Sequence, residues 1–247
     1  MVIGFIGSGS MAAALARGLA GQVDGMLFSD SGSGRAAALA EELGGQALSS
    51  EEVARRADAL ILAVKPAALD AVAPSLQEAD EIVSVLAATP LTRLREAFPG
   101  AATILRTMPN VGVEVRKGVI CVAGDDPSPA VAAALEQIAH VVAIDEGDFD
   151  GATAVMGCAP AYLALAVEAI ADAGAEDGLD PELARELIVE TTAGTAELLR
   201  LRHPADVRRA VASPGGSTEA GLEELDRHGA RDAFAAAVDG SLRRMRG

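Results

Sequence analysis

Val2-Ile3-Gly4-Phe5-Ile6-Gly7-Ser8-Gly9-Ser10-Met11-Ala12 is the stretch that decides the fold of this 247-residue chain. An apolar run stops at a glycine turn, and an alanine-rich helical pattern follows without a break as far as Leu19. The order is strand, turn, helix, with the spacing G-x-G-x-x-A. In that spacing Gly7 permits the tight turn, Gly9 lets backbone approach a pyrophosphate, and Ala12 allows the helix to lie close to the strand. The first helical turn then offers unpaired N–H groups and the positive end of its dipole to phosphates. Gly7, Ser8, Gly9, Ser10 and Met11 are therefore the expected cofactor-binding residues. The spacing alone arises by chance in chains rich in glycine and alanine; the flanking strand and helix give this one its weight.

Outward from that turn, the chain alternates β-rich runs with helical segments to about residue 148. The runs 25–29, 59–64, 81–86, 103–107, 119–123 and 141–144 read as strands. Several are continuously apolar, as strands buried on both faces should be. Ser49 and Glu52 stand at capping-box spacing before a helix. The pattern predicts an α/β fold with a mostly parallel, doubly wound sheet, forming a dinucleotide-binding Rossmann domain over residues 1–148. Beyond residue 151 the strands cease, and apolar residues recur at helical spacing over 162–175, 181–201, 218–225 and 230–245. Residues 149–247 are expected to form an all-helical domain. Its Ala- and Leu-rich helices have apolar faces to spare, which predicts a homo-oligomer built through them.

Half the residues are hydrophobic and only 2% aromatic, so the core must be built of Ala, Leu, Val and Ile. A formal charge of −16 argues against nucleic acid or an anionic membrane as partner, since both require a basic surface. No apolar run is expected to reach the length of a membrane span and the N-terminus has no charged leader pattern, so a cytoplasmic location is expected. Cys121 and Cys158 lack metal-ligand spacing and read as free, buried thiols; no metal site is expected. His140 at a helix end, His203 before a proline and His228 in a charged turn read as surface residues.

Four further segments carry chemistry. Ala63-Val64-Lys65-Pro66 closes a strand, which puts a cation at the carboxyl edge of the sheet, where ligands bind. The same residues also read as an exposed lysine ahead of a proline-initiated helix, and physics alone leaves both readings open. Arg106-Thr107-Met108-Pro109-Asn110 places a polar loop at the same edge, or an ordinary Pro-Asn turn. Pro160-Ala161-Tyr162 opens the second half. Ser213-Pro214-Gly215-Gly216-Ser217-Thr218 runs into a helix, where backbone N–H groups and two hydroxyls form a cradle for a carboxylate; a plain helix cap is the alternative.

Taken in order, these segments resemble the pyrroline-5-carboxylate reductase family, from residue 2 to about residue 240. The family's most diagnostic stretch is S-P-G-G-T-T, here with Ser217 in place of the first threonine and Thr218 retaining the second. The resemblance implies a Rossmann domain and a helical domain that interlocks into dimers, often assembled into decamers. It implies a small cyclic imino acid as substrate, with hydride passing from NAD(P)H to its C=N bond. Gly216, Ser217 and Thr218 would hold the substrate carboxylate, and the Thr218 hydroxyl would bond the ring nitrogen. Lys65 and Asn110 would lie beside nicotinamide and substrate, and Ala63, Val64 and Pro66 would line the cofactor, in a cleft between the domains.

Three positions depart from the family's pattern. Met156-Gly157-Cys158-Ala159 stands for S-G-S-G, Val111-Gly112 for T-P, and Ala210 for an asparagine. Each removes a polar group or a stiffening proline near the site, which keeps two alternatives open: a reductase of a different cyclic imine, or a non-catalytic NAD(P)-binding protein. The β-hydroxyacid dehydrogenases share the opening turn but need a lysine in the first long interdomain helix. Residues 151–176 contain none; Lys65 and Lys117 are the chain's only lysines.

Asp30, 21 residues after Gly9, lies near the spacing of the acidic residue that binds the ribose 2′-hydroxyl of NAD. Ser31, Ser33 and Arg35 follow in a turn that suits a 2′-phosphate instead. The reading leans to NADP(H), with NAD(H) left open.

Overall fold

A computed structural model describes residues 1–246. Its contacts divide into two units, residues 1–158 together with Met245 and Arg246, and Ala159–Arg244. The division falls later than the boundary at 148 expected from sequence.

The first unit is built on an eight-stranded sheet of β1 (Val2–Ile6), β2 (Gly25–Ser29), β3 (Gln46–Ala47), β4 (Ala59–Leu62), β5 (Glu81–Ser84), β6 (Thr103–Pro109), β7 (Gly118–Gly124) and β8 (Ala139–Ala143). Their spatial order is β3-β2-β1-β4-β5-β6-β7-β8. The first six strands run parallel in the 3-2-1-4-5-6 order of a doubly wound nucleotide-binding sheet. β7 pairs antiparallel with β6, and β8 runs parallel to β7.

Helices α1 (Ser10–Leu19), α2 (Arg35–Leu43), α3 (Ser50–Arg56), α4 (Leu69–Val72), α5 (Leu91–Ala97) and α6 (Pro129–Ile138) cover the two faces. Alternation along the strands explains the layering, because successive side chains point to opposite faces. Ile3, Phe5, Ala59, Ile61, Val83 and Leu105 join Leu15, Leu39 and Leu135 in one core. Ile6, Leu60, Leu62, Ile82 and Ile104 join Val53, Leu76 and Leu94 in the other. The rings of Phe5 and Phe28 stack at 5.1 Å between centroids, on neighbouring strands in register. Each such side chain, fully buried, contributes roughly 1.5–3 kcal/mol. At the start of α3 the Ser49 Oγ accepts the Glu52 N–H at 3.2 Å, and its hydroxyl also approaches the Glu52 carboxylate. His140, expected at a helix end, lies exposed in β8.

After α7 (Phe149–Ala152) the chain makes one turn of π-helix, Thr153–Gly157. The second unit is helical throughout: α8 (Ala159–Glu176), α9 (Pro181–Leu201), α10 (Pro204–Val211), α11 (Ser217–Arg227) and α12 (Ala230–Arg246, whose last two residues belong to the first unit). Pro181 and Pro204 each occupy a first helical position, where a missing N–H costs nothing. Asp180 and His203 cap those helices. Among its described residues Ala184 is the only buried hydrophobic side chain. Leu163, Leu165 and Ile170 of α8 lie more than half exposed.

That exposure corrects one expectation. Within the helical run Glu146–Glu176 an 18-residue window has a mean hydropathy of 1.7, long and apolar enough to cross a membrane by length and composition. Alanines at every turn raise its hydropathy without any one stretch reading as strongly apolar.

Candidate functional site

The glycine turn, the end of β2 and the segment after β4 come together because β1, β2 and β4 are adjacent and parallel, so their carboxyl ends share one edge. Gly7 adopts φ +96°, and a Cβ there would stand 2.6 Å from the Ala63 carbonyl oxygen. The Gly7 N–H donates to Ser29 O at 3.0 Å. The buried Ser8 hydroxyl donates to the same oxygen at 3.2 Å. The Ser8 side chain is thus a tie between the turn and β2, which leaves only its backbone for a ligand. Gly9 differs from Gly7: a Cβ on it would meet nothing within 4 Å. Gly9 caps α1 with extended backbone, no side chain caps the helix, and its first turn holds no acidic residue. Ser10 is exposed and Met11 half-buried. Open space above uncapped helical N–H groups is what a pyrophosphate requires, so these residues fit a dinucleotide.

The loop after β2 spends Asp30 internally. Its carboxylate accepts the N–H of Gly32 at 2.7 Å, of Ser33 at 3.0 Å and of Ala36 at 2.8 Å, and the Ser33 hydroxyl at 2.8 Å. These bonds, the Ala36 N–H foremost, hold its pKa down at about 2. The Arg35 Nε donates to Ser33 Oγ at 3.1 Å, and Ser31, Ser33 and Arg35 are all exposed. Asp30 therefore organises the loop with the acceptors expected to meet a ribose, while the rim presents a hydroxyl and a guanidinium.

Lys65 is exposed in extended backbone ahead of the short turn Pro66–Ala68, and Val64 is half-buried. Asn110 follows β6 at the same carboxyl edge, but its amide bonds protein atoms. Its Oδ1 accepts the Gly112 N–H at 3.2 Å and the Val119 N–H at 3.1 Å, and its Nδ2 donates to Met156 O at 3.2 Å. The side chain expected beside the substrate is thus committed to backbone.

Within the second unit, Ser213-Pro214-Gly215-Gly216 forms a turn into α11. The Gly216 N–H donates to Ser213 O at 2.9 Å, so this amide, expected to meet a ligand, closes the turn instead. Gly215 sits at φ +72°, and its N–H donates to the Glu219 carboxylate at 2.6 Å. Ser217 and Thr218 are exposed in the first turn of α11, which no side chain caps. Two hydroxyls and uncapped N–H groups suit a small carboxylate.

Two features were not legible in the sequence. The buried Arg106 pairs with Glu146 at 2.9 Å and lies 4.3 Å over the Phe149 ring. Glu146 also accepts the Leu91 N–H at 2.7 Å. No pattern links residues so far apart in the chain. The second is a cavity of about 510 Å³ between α5, α6 and the β7–β8 edge, lined by Asp125, Asp126, Glu136, Asp145 and Glu146 among others. That acidic lining disfavours a phosphate-bearing ligand. Cys121 is buried, which pushes its thiol pKa up, whereas Cys158, expected to be buried, is half-exposed.

A family model for pyrroline-5-carboxylate reductase dimerisation matches residues 146–247, and one for NADP oxidoreductase, coenzyme F420-dependent, matches residues 2–88. The chain is 38% identical to a pyrroline-5-carboxylate reductase of Synechocystis, over 79% of this chain and 76% of that one. A solved 1-pyrroline-5-carboxylate reductase from Streptococcus pyogenes is 31% identical with a TM-score of 0.86, covering 99% of this chain and 98% of its own. A pyrroline carboxylate reductase from Plasmodium falciparum, solved with NADP bound, is 25% identical with a TM-score of 0.87, covering 99% and 97%. With the doubly wound sheet, its uncapped glycine turn and the S-P-G-G-S-T loop, these matches show that the chain belongs to the pyrroline-5-carboxylate reductase family.

Proposed function

We propose that this chain transfers hydride from NADPH to the C=N bond of 1-pyrroline-5-carboxylate, giving L-proline. The observation that carries the reading is the pairing, in one chain, of an uncapped glycine turn suited to a dinucleotide with an uncapped, hydroxyl-bearing α11 suited to a carboxylate. The bound cofactor supplies the hydride at its nicotinamide ring. Gly9, Ser10 and Met11 present the first-turn N–H groups of α1 to its pyrophosphate. Ser31, Ser33 and Arg35 bind the 2′-phosphate, and Ala63 to Pro66 lie beside the nicotinamide, with Lys65 the one cation among them.

The chain needs little proton chemistry of its own. A cyclic imine is basic enough to bind as the iminium, so the protein's task is to hold and orient it and to exclude water. The N–H groups and hydroxyls of Ser217 and Thr218 take the carboxylate, with Gly216 shaping the turn that presents them. The Thr218 hydroxyl bonds the ring nitrogen. Thr218 and Lys65 are the side chains assigned to the reacting groups.

The chain forms homo-oligomers, and we assign the contact to the exposed apolar faces of α8 and α9. These lie in the region matched by the dimerisation model, and Leu163, Leu165, Ile170 and Leu187 on them are more than half exposed. An apolar helix covered by a second copy meets the same hydrophobic requirement as one placed in lipid. Consumption of NADPH and of NADH with 1-pyrroline-5-carboxylate, followed by nicotinamide absorbance, tests the reading. Saturable turnover with NADPH preferred is expected; tight nucleotide binding with no turnover would overturn the substrate assignment.

A further inference from the structure

Pro160 removes a hydrogen-bond donor at a point where the chain needs one. In an uninterrupted helix the carbonyl of Met156 accepts the N–H four residues on, and proline has none. The helical ladder breaks here: the π-turn Thr153–Gly157 closes with the Cys158 N–H on Thr153 O at 3.1 Å, and α8 begins only at Ala159. The Met156 carbonyl instead accepts the Asn110 Nδ2 at 3.2 Å. The oxygen of the same amide accepts the N–H groups of Gly112 and Val119. Two donors on one side and a carbonyl on the other fix which way the amide faces, and only an amide meets both demands; a carboxylate has acceptors alone.

We propose that Asn110 is a positioning residue for the reduction, acting through the main chain. It lends Met156 the donor that Pro160 withholds, and so fastens the Thr153–Gly157 turn to the end of β6. That end lies at the carboxyl edge of the sheet, the edge that receives the cofactor's reactive half in doubly wound folds. With no proline after Asn110 and Gly112 two residues on, this loop is stiffened by the amide's three bonds.

The kinetic arm of the test rests on the reductase reading above; the stability arm does not. Asn110→Asp keeps an acceptor for Gly112 and Val119 and replaces the donor with a charged oxygen that repels the Met156 carbonyl. Pro160→Ala restores a helical N–H for Met156. Four proteins are compared: the unchanged chain, each single variant and the double variant. Asn110→Asp is expected to lower kcat about tenfold, with the KM for NADPH within about twofold, and to lower Tm by roughly 5 °C. With Pro160→Ala present, both effects of Asn110→Asp should shrink by at least half, the mark of residues that share one bond. Equal effects in the two backgrounds, or no effect of Asn110→Asp in either, would overturn the proposal. If Asn110→Asp folds only alongside Pro160→Ala the proposal stands, and if it folds in neither background the proposal fails. If the unchanged chain proves inactive on the imine, the role in the reduction falls with the reductase reading, and the Tm comparison still decides whether Asn110 and Pro160 share the Met156 carbonyl.

Discussion

A methyl group added to Gly7 would stand 2.6 Å from the carbonyl oxygen of Ala63, so the glycine turn and the strand that precedes Lys65 are packed backbone to backbone. Gly9, two residues on, faces open space. The two glycines of the motif therefore do different work, one for the fold and one for the ligand.

Alanine at each position should separate the two. Gly7→Ala combines the clash with an unfavourable φ and should cost about 2–4 kcal/mol of stability. Gly9→Ala should melt within a degree or two of the unchanged chain while binding NADPH at least tenfold more weakly, because the new methyl occupies the phosphate's space. Paired thermal melts and nucleotide titrations check this; a Gly9→Ala protein with undiminished affinity would remove Gly9 from the site.

Asp30 makes a prediction with a definite sign. Its folded-state pKa of about 2 lies below the ordinary value of ~3.9, so its contribution to stability is whole above about pH 4. It is lost as pH falls through 2. Asp30→Asn should cost about 1 kcal/mol at neutral pH, in line with a lost helix cap, and the gap between the two proteins should close between pH 4 and pH 2. Denaturant unfolding of both proteins across that range is the measurement.

Thr218→Ala removes one hydroxyl from the exposed first turn of α11 and leaves its backbone donors in place. Turnover should fall by one to two orders of magnitude, roughly 1.5–3 kcal/mol, with Tm unchanged because the hydroxyl bonds no other side chain or backbone group among the described residues. Unaltered turnover would sink the role given to the hydroxyl.

Charge placed on the exposed face of α8 should act on assembly. Leu163→Glu with Ile170→Glu, seven residues apart and so on one side of the helix, would bury two carboxylates in an apolar contact, so the variant should elute as a smaller species by light-scattering chromatography. An oligomer of undiminished mass would move the contact away from that face.

The sheet was legible because its strands are apolar on both faces and its glycine turn has a fixed spacing. β3 was not: it is two exposed residues, Gln46 and Ala47, held by pairing with β2 and by one bond from Arg56 to the Gln46 side chain. The antiparallel direction of β7 depends on how residues 110–117 turn back, which no periodicity records. The site divided along the same line. The backbone features of the glycine turn could be read from residue types, whereas the engagements of Asp30, Asn110 and the Gly216 N–H depend on which groups the fold brings within 3 Å or so. A motif shows which atoms are available, and local geometry decides which of them are already spent.

Among the described residues of the second unit Ala184 alone is buried, and this makes concentration a folding variable for the protein. Five helices with almost no interior of their own cannot draw much stability from a single copy, so most of their apolar surface must leave water when two copies meet. Ordering and assembly then form one equilibrium, governed by mass action. Diluting the protein would act on this half of the molecule as heat or urea does, and would leave the nucleotide-binding sheet, with its two filled cores, largely untouched.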